Sequence, residues 1–273
     1  MTSIQRLIKL VADAIAIGLV VAIIGGAATV IFAISGITSI KNEIKEAKAN
    51  EEYTLYNVEN DISNISLNLS TASLAIKQGD NFSVYHSEGF KIKNKKGILY
   101  AEDTIKEILN IESNHMLIIT VPKNKTFDKI NIASGAGSIF IENLNCNALD
   151  LDLGVGTTDI DYIKVNTKAK IDGGVGEMTI NKGTINNLDY SVGVGKSLIS
   201  AKLTGKCDIE AGIGDVKLTL KGGEKLYTLK GETGIGAIRV DGKNLSDDSI
   251  IGNGKNIVDI DGGIGTVRID FAA

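Results

Sequence analysis

The segment LDLGVGTTDI at residues 151–160 carries the pattern that decides the fold. It recurs as YSVGVGKSLIS at 190–200 and as IEAGIGDVKLTL at 209–220. The tripeptide Gly-x-Gly returns every 19 to 22 residues, with one last interval of 29, and its first glycine is Gly135, Gly154, Gly174, Gly193, Gly212, Gly234 and Gly263. Self-similarity at a fixed period of this length is typical of repeat proteins.

Aligned on that glycine, the repeats place apolar residues in the same columns. The column six after the glycine is aliphatic in all seven repeats: Ile141, Ile160, Ile180, Ile199, Leu218, Val240 and Ile269. The columns five before, three before and one after are also mostly apolar, and the one-after column is Ala136, Val155, Val175, Val194, Ile213, Ile235 and Ile264. Polar residues between them give an alternation of period two, which predicts short strands with the apolar columns inward.

Coils of this kind bury their apolar faces by stacking about 4.8 Å apart. The predicted fold class is therefore all-β, a parallel β-solenoid of about seven coils at residues 129–273, with an irregular β cap at 61–128 and one N-terminal transmembrane helix before it. The segment 242–256 is predicted to be a surface loop, and the stack is expected to end at an open edge near Phe271.

The transmembrane prediction rests on 27 consecutive uncharged residues at 14–40. About 20 apolar residues suffice to cross the hydrocarbon core. We assign a tail at 1–9, a span at 10–40, a charged stalk or linker at 41–60 and the solenoid domain at 61–273. A cleaved signal peptide is the competing interpretation, although its apolar core is usually shorter. The expected location is a cell membrane, crossed once, with the C-terminal domain outside the cell.

Neither the composition nor the motifs indicate catalytic, cofactor-binding or metal-binding residues, and no cofactor is expected. Glycine is abundant at 31 residues, tryptophan is absent and the net charge is −4, so neither nucleic acid nor another polyanion is an expected partner. The third glycine of a nucleotide-binding GxGxxG and the aspartate of a calcium-roll repeat are both missing after every Gly-x-Gly.

Acidic residues cluster just before the glycines and are expected to form a stripe on one outward face: Asp150, Asp152, Asp172, Asp189, Asp208, Glu210, Asp259 and Asp261. We interpret the stripe as a solvated surface, with a weak site for Ca²⁺ or a cationic partner as the alternative. Cys146 and Cys207 are predicted to be buried free thiols in different columns. His86 and His115 lie in the cap without a recognised catalytic partner, which favours core or surface roles.

The combined pattern resembles the bacterial putative-adhesin family, a domain of unknown function built of Gly-x-Gly β-strand repeats. The resemblance covers residues 61–273 and rests on SLAIKQGDNFSV (73–84), on IITVPKNKTFDKINIASGAGSIFIENL (118–144) and on the repeats quoted above. It implies a bacterial envelope protein in which the domain often follows one transmembrane helix. The resemblance identifies no functional residues.

From these observations we expect a non-enzymatic, membrane-anchored structural or adhesion-like binding module. Its partners would be the membrane and another protein or cell-surface component. A regulatory membrane partner in envelope-stress signalling is the alternative, and a polysaccharide-active enzyme is a third.

Overall fold

The computed structural model describes residues 53–58, 61–103, 115–247 and 249–273. In these ranges the fold is all-β, and its one helical element is a 3-10 turn at Glu224–Leu226. The N-terminal strands are β1 (Thr54–Tyr56), β2 (Asn64–Leu69), β3 (Ser73–Gly79), β4 (Ser83–His86), β5 (Phe90–Lys95), β6 (Ile98–Asp103) and β7 (Met116–Pro122). The coil strands are β8 (Phe127–Ile141), β9 (Leu144–Ile160), β10 (Ile163–Asp172), β11 (Val175–Ile180), β12 (Gly183–Asn186), β13 (Leu188–Ser191), β14 (Val194–Thr204), β15 (Lys206–Glu210), β16 (Ile213–Lys221), β17 (Tyr227–Glu232), β18 (Ile235–Val240), β19 (Lys243–Asn244), β20 (Ser249–Gly252), β21 (Asn256–Asp261) and β22 (Ile264–Ala272).

The coils stack as three parallel ladders that meet at corners. Face 1 holds the residues before each Gly-x-Gly, such as 149–153, and face 2 holds those after it, such as 155–160. Face 3 holds the short strand that completes each coil, such as 144–146. Since the inward side chains of all three faces converge, they form one continuous aliphatic core.

The predicted column six after the glycine is confirmed. Its residues pair in an unbroken parallel ladder: Ile141 with Ile160, Ile160 with Ile180, Ile180 with Ile199, Ile199 with Leu218, Leu218 with Ile269, and Ile269 with Val240. Every member is buried. The column therefore runs through the core along the whole stack of Gly-x-Gly coils, and it places equivalent residues of neighbouring coils in van der Waals contact.

The glycines at the corner are required because successive coils approach backbone to backbone there. At Gly176, φ is +145°, and a Cβ built on it would lie 1.8 Å from the carbonyl oxygen of Gly156 in the preceding coil. Any L-residue would combine strained backbone with that overlap. The tripeptide thus records how closely the coils stack at this corner.

The coils do not stack in the order of the chain. β21 pairs with β15 on one side and with β17 on the other, and β22 likewise lies between β16 and β18. The coil of Gly263 is therefore inserted between the coils of Gly212 and Gly234. The expectation that the stack ends near Phe271 is wrong, since the coil of Gly234 is the outermost one.

Residues 242–256 are not merely a surface loop, because they cover the open end of the solenoid. β20 runs antiparallel along the outer edge of β17, and β19 pairs with the end of β18. The side chain of Leu245 lies 2.5 Å from where a Cβ of Gly231 would be. It occupies the core position that an isoleucine, leucine or tyrosine fills in most other coils, so it closes the end of the core.

The predicted irregular cap contains a regular coil. β2 pairs in parallel with the face 1 part of β8, and β3 pairs with its face 2 part. Ser70 to Ala72 form the corner of this coil, and a Cβ on Gly135 would lie 2.6 Å from the Ser70 carbonyl oxygen. This corner consists of Ser70, Thr71 and Ala72, so the coil lacks the Gly-x-Gly signature.

Antiparallel strands cover the coil formed by β2 and β3. β6 and β7 lie beside it in parallel, β5 then pairs antiparallel with β6, and β4 pairs antiparallel with β7. β1, which falls within the predicted stalk, pairs antiparallel with β4. The N-terminal end of the solenoid is thus a pair of antiparallel extensions of faces 1 and 2.

The predicted fold class is wrong in its transmembrane helix. Across the ranges that the structure describes, no helix is long and apolar enough to cross a membrane. The predicted tail at 1–9 and span at 10–40 lie outside the described residues. Over the ranges that the structure describes, the fold class is an all-β solenoid.

Candidate binding surfaces

The acidic stripe predicted from the sequence lies on face 1. None of its eight residues is buried, and the parallel register places Asp172 beside Asp152, Asp259 beside Asp208 and Asp261 beside Glu210. Equivalent side chains in adjacent strands are about 4.8 Å apart. The inserted coil of Gly263 therefore continues the stripe directly from the coil of Gly212.

Lysines on face 1 offset part of this negative charge. Lys168 Nζ lies 3.2 Å from Asp189 and Lys206 Nζ lies 2.8 Å from Asp208. A hydrogen bond with Asp208 raises the pKa of Lys206. No group of three or more His, Cys, Asp or Glu residues within the described ranges is placed to hold a metal ion. The carboxylates thus form a solvated ladder with local lysine counter-ions.

The column one after the glycine is the main surface that sequence reasoning missed. These residues face outward rather than inward: five of the seven are exposed, among them Val155 at 54% and Ile235 at 74%, and Ala136 and Val194 are half-buried. We call the seven residues Ala136, Val155, Val175, Val194, Ile213, Ile264 and Ile235, in their spatial order, the aliphatic ridge. Glycines on both sides turn the chain at the corner, so the side chain between them points out.

The corner behind the ridge offers no room for a substrate. Its cavity, at the coils of Gly154 and Gly174, has a volume of about 30 Å³ and is lined by glycines together with larger side chains such as Met178 and Tyr190. That is enough for little more than a water molecule.

Both thiols are buried, as predicted, and burial raises the pKa of Cys146 to about 12 and that of Cys207 to about 11. They are therefore poor nucleophiles.

The cap brings together a serine, a histidine and an aspartate that the sequence separates. Ser87 Oγ lies 3.2 Å from His115 Nδ1, and His115 Nε2 lies 3.7 Å from Asp103. His115 therefore has a serine within hydrogen-bond distance that its position in the sequence does not indicate. No fixed spacing links these residues, and they meet only because β6 and β7 flank the same coil.

The geometry of this cluster is structural rather than catalytic. The His115–Asp103 separation exceeds hydrogen-bond length. Asp103 instead accepts hydrogen bonds from the backbone N–H groups of Ser70, at 2.5 Å, and Thr71, at 2.8 Å. Ser87 Oγ accepts one from Met116 N–H. The cluster therefore fastens the first corner of the solenoid.

A family model described as Toastrack DUF4097 matches residues 43–248. The match spans most of the chain, and it ends before the coil of Gly263, which is the last coil in chain order. The chain belongs to the Toastrack DUF4097 family. This agrees with the resemblance to the putative-adhesin family. None of the curated proteins shows significant similarity to this Toastrack chain.

Several solved structures resemble this Toastrack protein. A putative adhesin from Bacteroides fragilis is 14% identical, with 81% of this chain and 98% of that chain covered and a TM-score of 0.44. A putative cell adhesion protein from Clostridium sporogenes is 17% identical over 81% and 99% of the two chains, with a TM-score of 0.38. A putative lipid binding protein from Parabacteroides distasonis is 16% identical over 81% and 97%, with a TM-score of 0.40.

Asp103 makes the stability of this Toastrack domain pH-dependent. Burial raises the pKa of the carboxyl group, but its backbone hydrogen bonds to Thr71 and Ser70 outweigh burial and hold the pKa below the ordinary value of 3.8. A lowered pKa means that the stabilisation is complete above that value and is lost as the pH falls through the folded-state pKa.

We expect Asp103→Asn to lower the unfolding free energy by about 1–3 kcal/mol at neutral pH, because it weakens charge-assisted hydrogen bonds. The difference from wild type should shrink below pH 3.8. Urea denaturation at a series of pH values measures it, with the exposed Asp152→Asn as the control. A difference that stays constant down to acid pH would contradict this role of the carboxylate.

Proposed function

We propose that this protein is a non-enzymatic, adhesion-like binding module that uses the outside of its solenoid as the contact surface. The observation that carries the proposal is the aliphatic ridge. Ordinary soluble surfaces scatter their exposed aliphatic residues singly, whereas contiguous apolar surface marks interaction sites. Here the outward aliphatic residues of the seven Gly-x-Gly coils lie in register along a single line, and five of them are exposed.

The rigidity of the fold supports a binding role for the ridge. The five inner ridge residues each lie between two ladder-paired strands, and Gly154 and Gly156 on either side of Val155 leave no side chain to shield it. Such a surface loses little conformational entropy when it is covered. Chemistry, in contrast, needs a cleft and an aligned acid–base pair, and the Ser87–His115–Asp103 contacts do not form one.

Binding to cells tests the proposal. We expect the full chain, immobilised, to capture bacterial cells, and the ridge pair Val155→Ser/Ile213→Ser to reduce capture about tenfold or more, since buried contact residues commonly contribute over 1 kcal/mol each. The control pair is Leu55→Ser/Ile250→Ser, which removes two other exposed aliphatic residues, 46% and 63% exposed, away from the ridge.

Two results would count against a binding module. One is equal capture by the wild type and the ridge pair. The other is turnover of cell-wall material by the wild type that Ser87→Ala abolishes while the unfolding midpoint is kept, because that would make the cap cluster catalytic. The proposed setting is the outside of the cell, which protease treatment of intact cells checks: degradation only after lysis would contradict it.

A further inference from the structure

Charge on face 1 is segregated along the solenoid axis. The coil region carries the acidic stripe, whereas the N-terminal extension of the same face carries three exposed lysines on one strand. Lys91, Lys93 and Lys95 alternate along β5 and all point to the outer side. β5 joins β6, β6 joins β2, and β2 joins β8, so the lysines and the carboxylates share one surface. A net charge of −4 conceals this separation.

The three lysines line a groove rather than a flat strand edge. It has a volume of about 450 Å³. Besides the lysines, its lining residues are Ser66, Asn68, Tyr100, Ala101 and Glu102. Lys91 contacts Glu102 at 3.7 Å. The other two ammonium groups have room to meet a ligand in the groove.

Tyr100 distinguishes this groove from a protected strand edge. Lysines on an edge strand discourage unwanted strand pairing, and that role requires no aromatic floor. Tyr100 is 41% exposed and lies on β6, where it is paired with Lys93 of the neighbouring strand β5. An exposed aromatic ring packs against the apolar face of a sugar ring, and the hydroxyl of Ser66 and the amide of Asn68 provide hydrogen bonds for sugar hydroxyls.

We propose that this groove binds an anionic polysaccharide. The lysines are spaced two residues apart, about 6.8 Å along the strand, so they present a row of charges to an extended polymer with repeated acidic groups. The acidic stripe repels the same polymer from the rest of face 1, which confines it to the N-terminal end. The inference rests on the proposed function and names one ligand class for it.

A carboxylate-bearing polysaccharide, polygalacturonate, is the probe. We expect the full chain to bind it with an affinity that falls as salt rises. Lys91→Gln/Lys93→Gln/Lys95→Gln should weaken binding about tenfold or more at low salt. The matched control, Lys164→Gln/Lys182→Gln/Lys202→Gln, removes the same charge from exposed lysines elsewhere and should change the affinity less than about twofold.

Tyr100→Ala separates sugar recognition from charge alone. It should weaken polygalacturonate binding severalfold and leave the binding of inorganic polyphosphate unchanged, because polyphosphate has no ring to pack on tyrosine. If the triple lysine variant does not fold, Lys93→Gln replaces it, with a smaller loss in the same direction.

Several outcomes would overturn the inference. They are no binding of polygalacturonate, equal losses in the two lysine triples, insensitivity to Tyr100→Ala, or binding of phosphatidylglycerol vesicles in place of the polysaccharide. If polygalacturonate fails while the ridge pair still reduces the capture of cells, the groove assignment falls and the binding module stands.

Discussion

Replacing Ile180 by aspartate is expected to lower the unfolding free energy by about 4 kcal/mol or more, enough to unfold much of the coil region. Ile180 is 1% exposed and lies between Ile160 and Ile199 in the central column. A carboxylate there would be buried among aliphatic side chains with no cation to pair with it. Thermal and urea unfolding measure the loss.

The control for this substitution lies in the same coil. Val175 belongs to the aliphatic ridge and is 38% exposed, so Val175→Asp should cost less than about 1 kcal/mol. The two variants have the same charge change, five residues apart, on opposite sides of the chain. Equal destabilisation by the two would show that the inward and outward columns have been assigned wrongly.

Removing residues 256–273 is expected to separate the outermost coil, that of Gly234, from the rest of the solenoid. The deletion takes away β21 and β22, with the buried side chains of Val258, Ile260, Val267 and Ile269. At about 1.5–3 kcal/mol for each buried side chain, this loss is comparable with the whole stability of a typical domain. In a solenoid the damage should remain local, because coils are stabilised mainly by their neighbours.

Limited proteolysis followed by mass spectrometry measures the effect. In the truncated protein we expect rapid cleavage between residues 222 and 255, because the coil of Gly234 has lost its only stacked neighbour among the described coils. The coils before Gly212 should stay protected. Removal of 271–273 alone should leave the 222–255 segment protected. Persistent protection after the long deletion would contradict the inserted coil.

The columns of the solenoid could be predicted from the sequence because they depend on local geometry. Period-two alternation assigns a side to Ile141 and Ile160 without knowledge of any partner, and the regular interval then aligns them. Cys146 and Cys207 follow from the same alignment. The acidic stripe was also predictable, since its residues occupy the outward positions of the same strands.

The aliphatic ridge escaped the same reasoning because of the corner. Period two holds along a straight strand, but Gly154 and Gly156 turn the chain around Val155 and reverse the side that faces the core. An apolar residue enclosed by two glycines was therefore assigned inward when it is outward. Hydrophobicity alone does not reveal which side of a bend a side chain occupies.

Features made of residues distant in the chain could not be predicted. The contact of Ser87 with His115, the closure of the core by Leu245 over Gly231, and the lysine groove beside Tyr100 all depend on which strands become neighbours. The three exposed lysines of β5 also share face 1 with the acidic stripe, which the net charge of −4 does not reveal.

By itself, the sequence determined that this protein is a stacked β-solenoid, how many Gly-x-Gly coils it has and which aliphatic residues form the column through its core, because these follow from alternation and period. Only the tertiary structure decided the order of the coils. The last two alternate in the same way and end in equally apolar columns, so this pattern does not indicate which of them lies beside the coil of Gly212. The choice between them depends on long-range packing, in which β20 and Leu245 cover the coil of Gly234 and leave the coil of Gly263 inside.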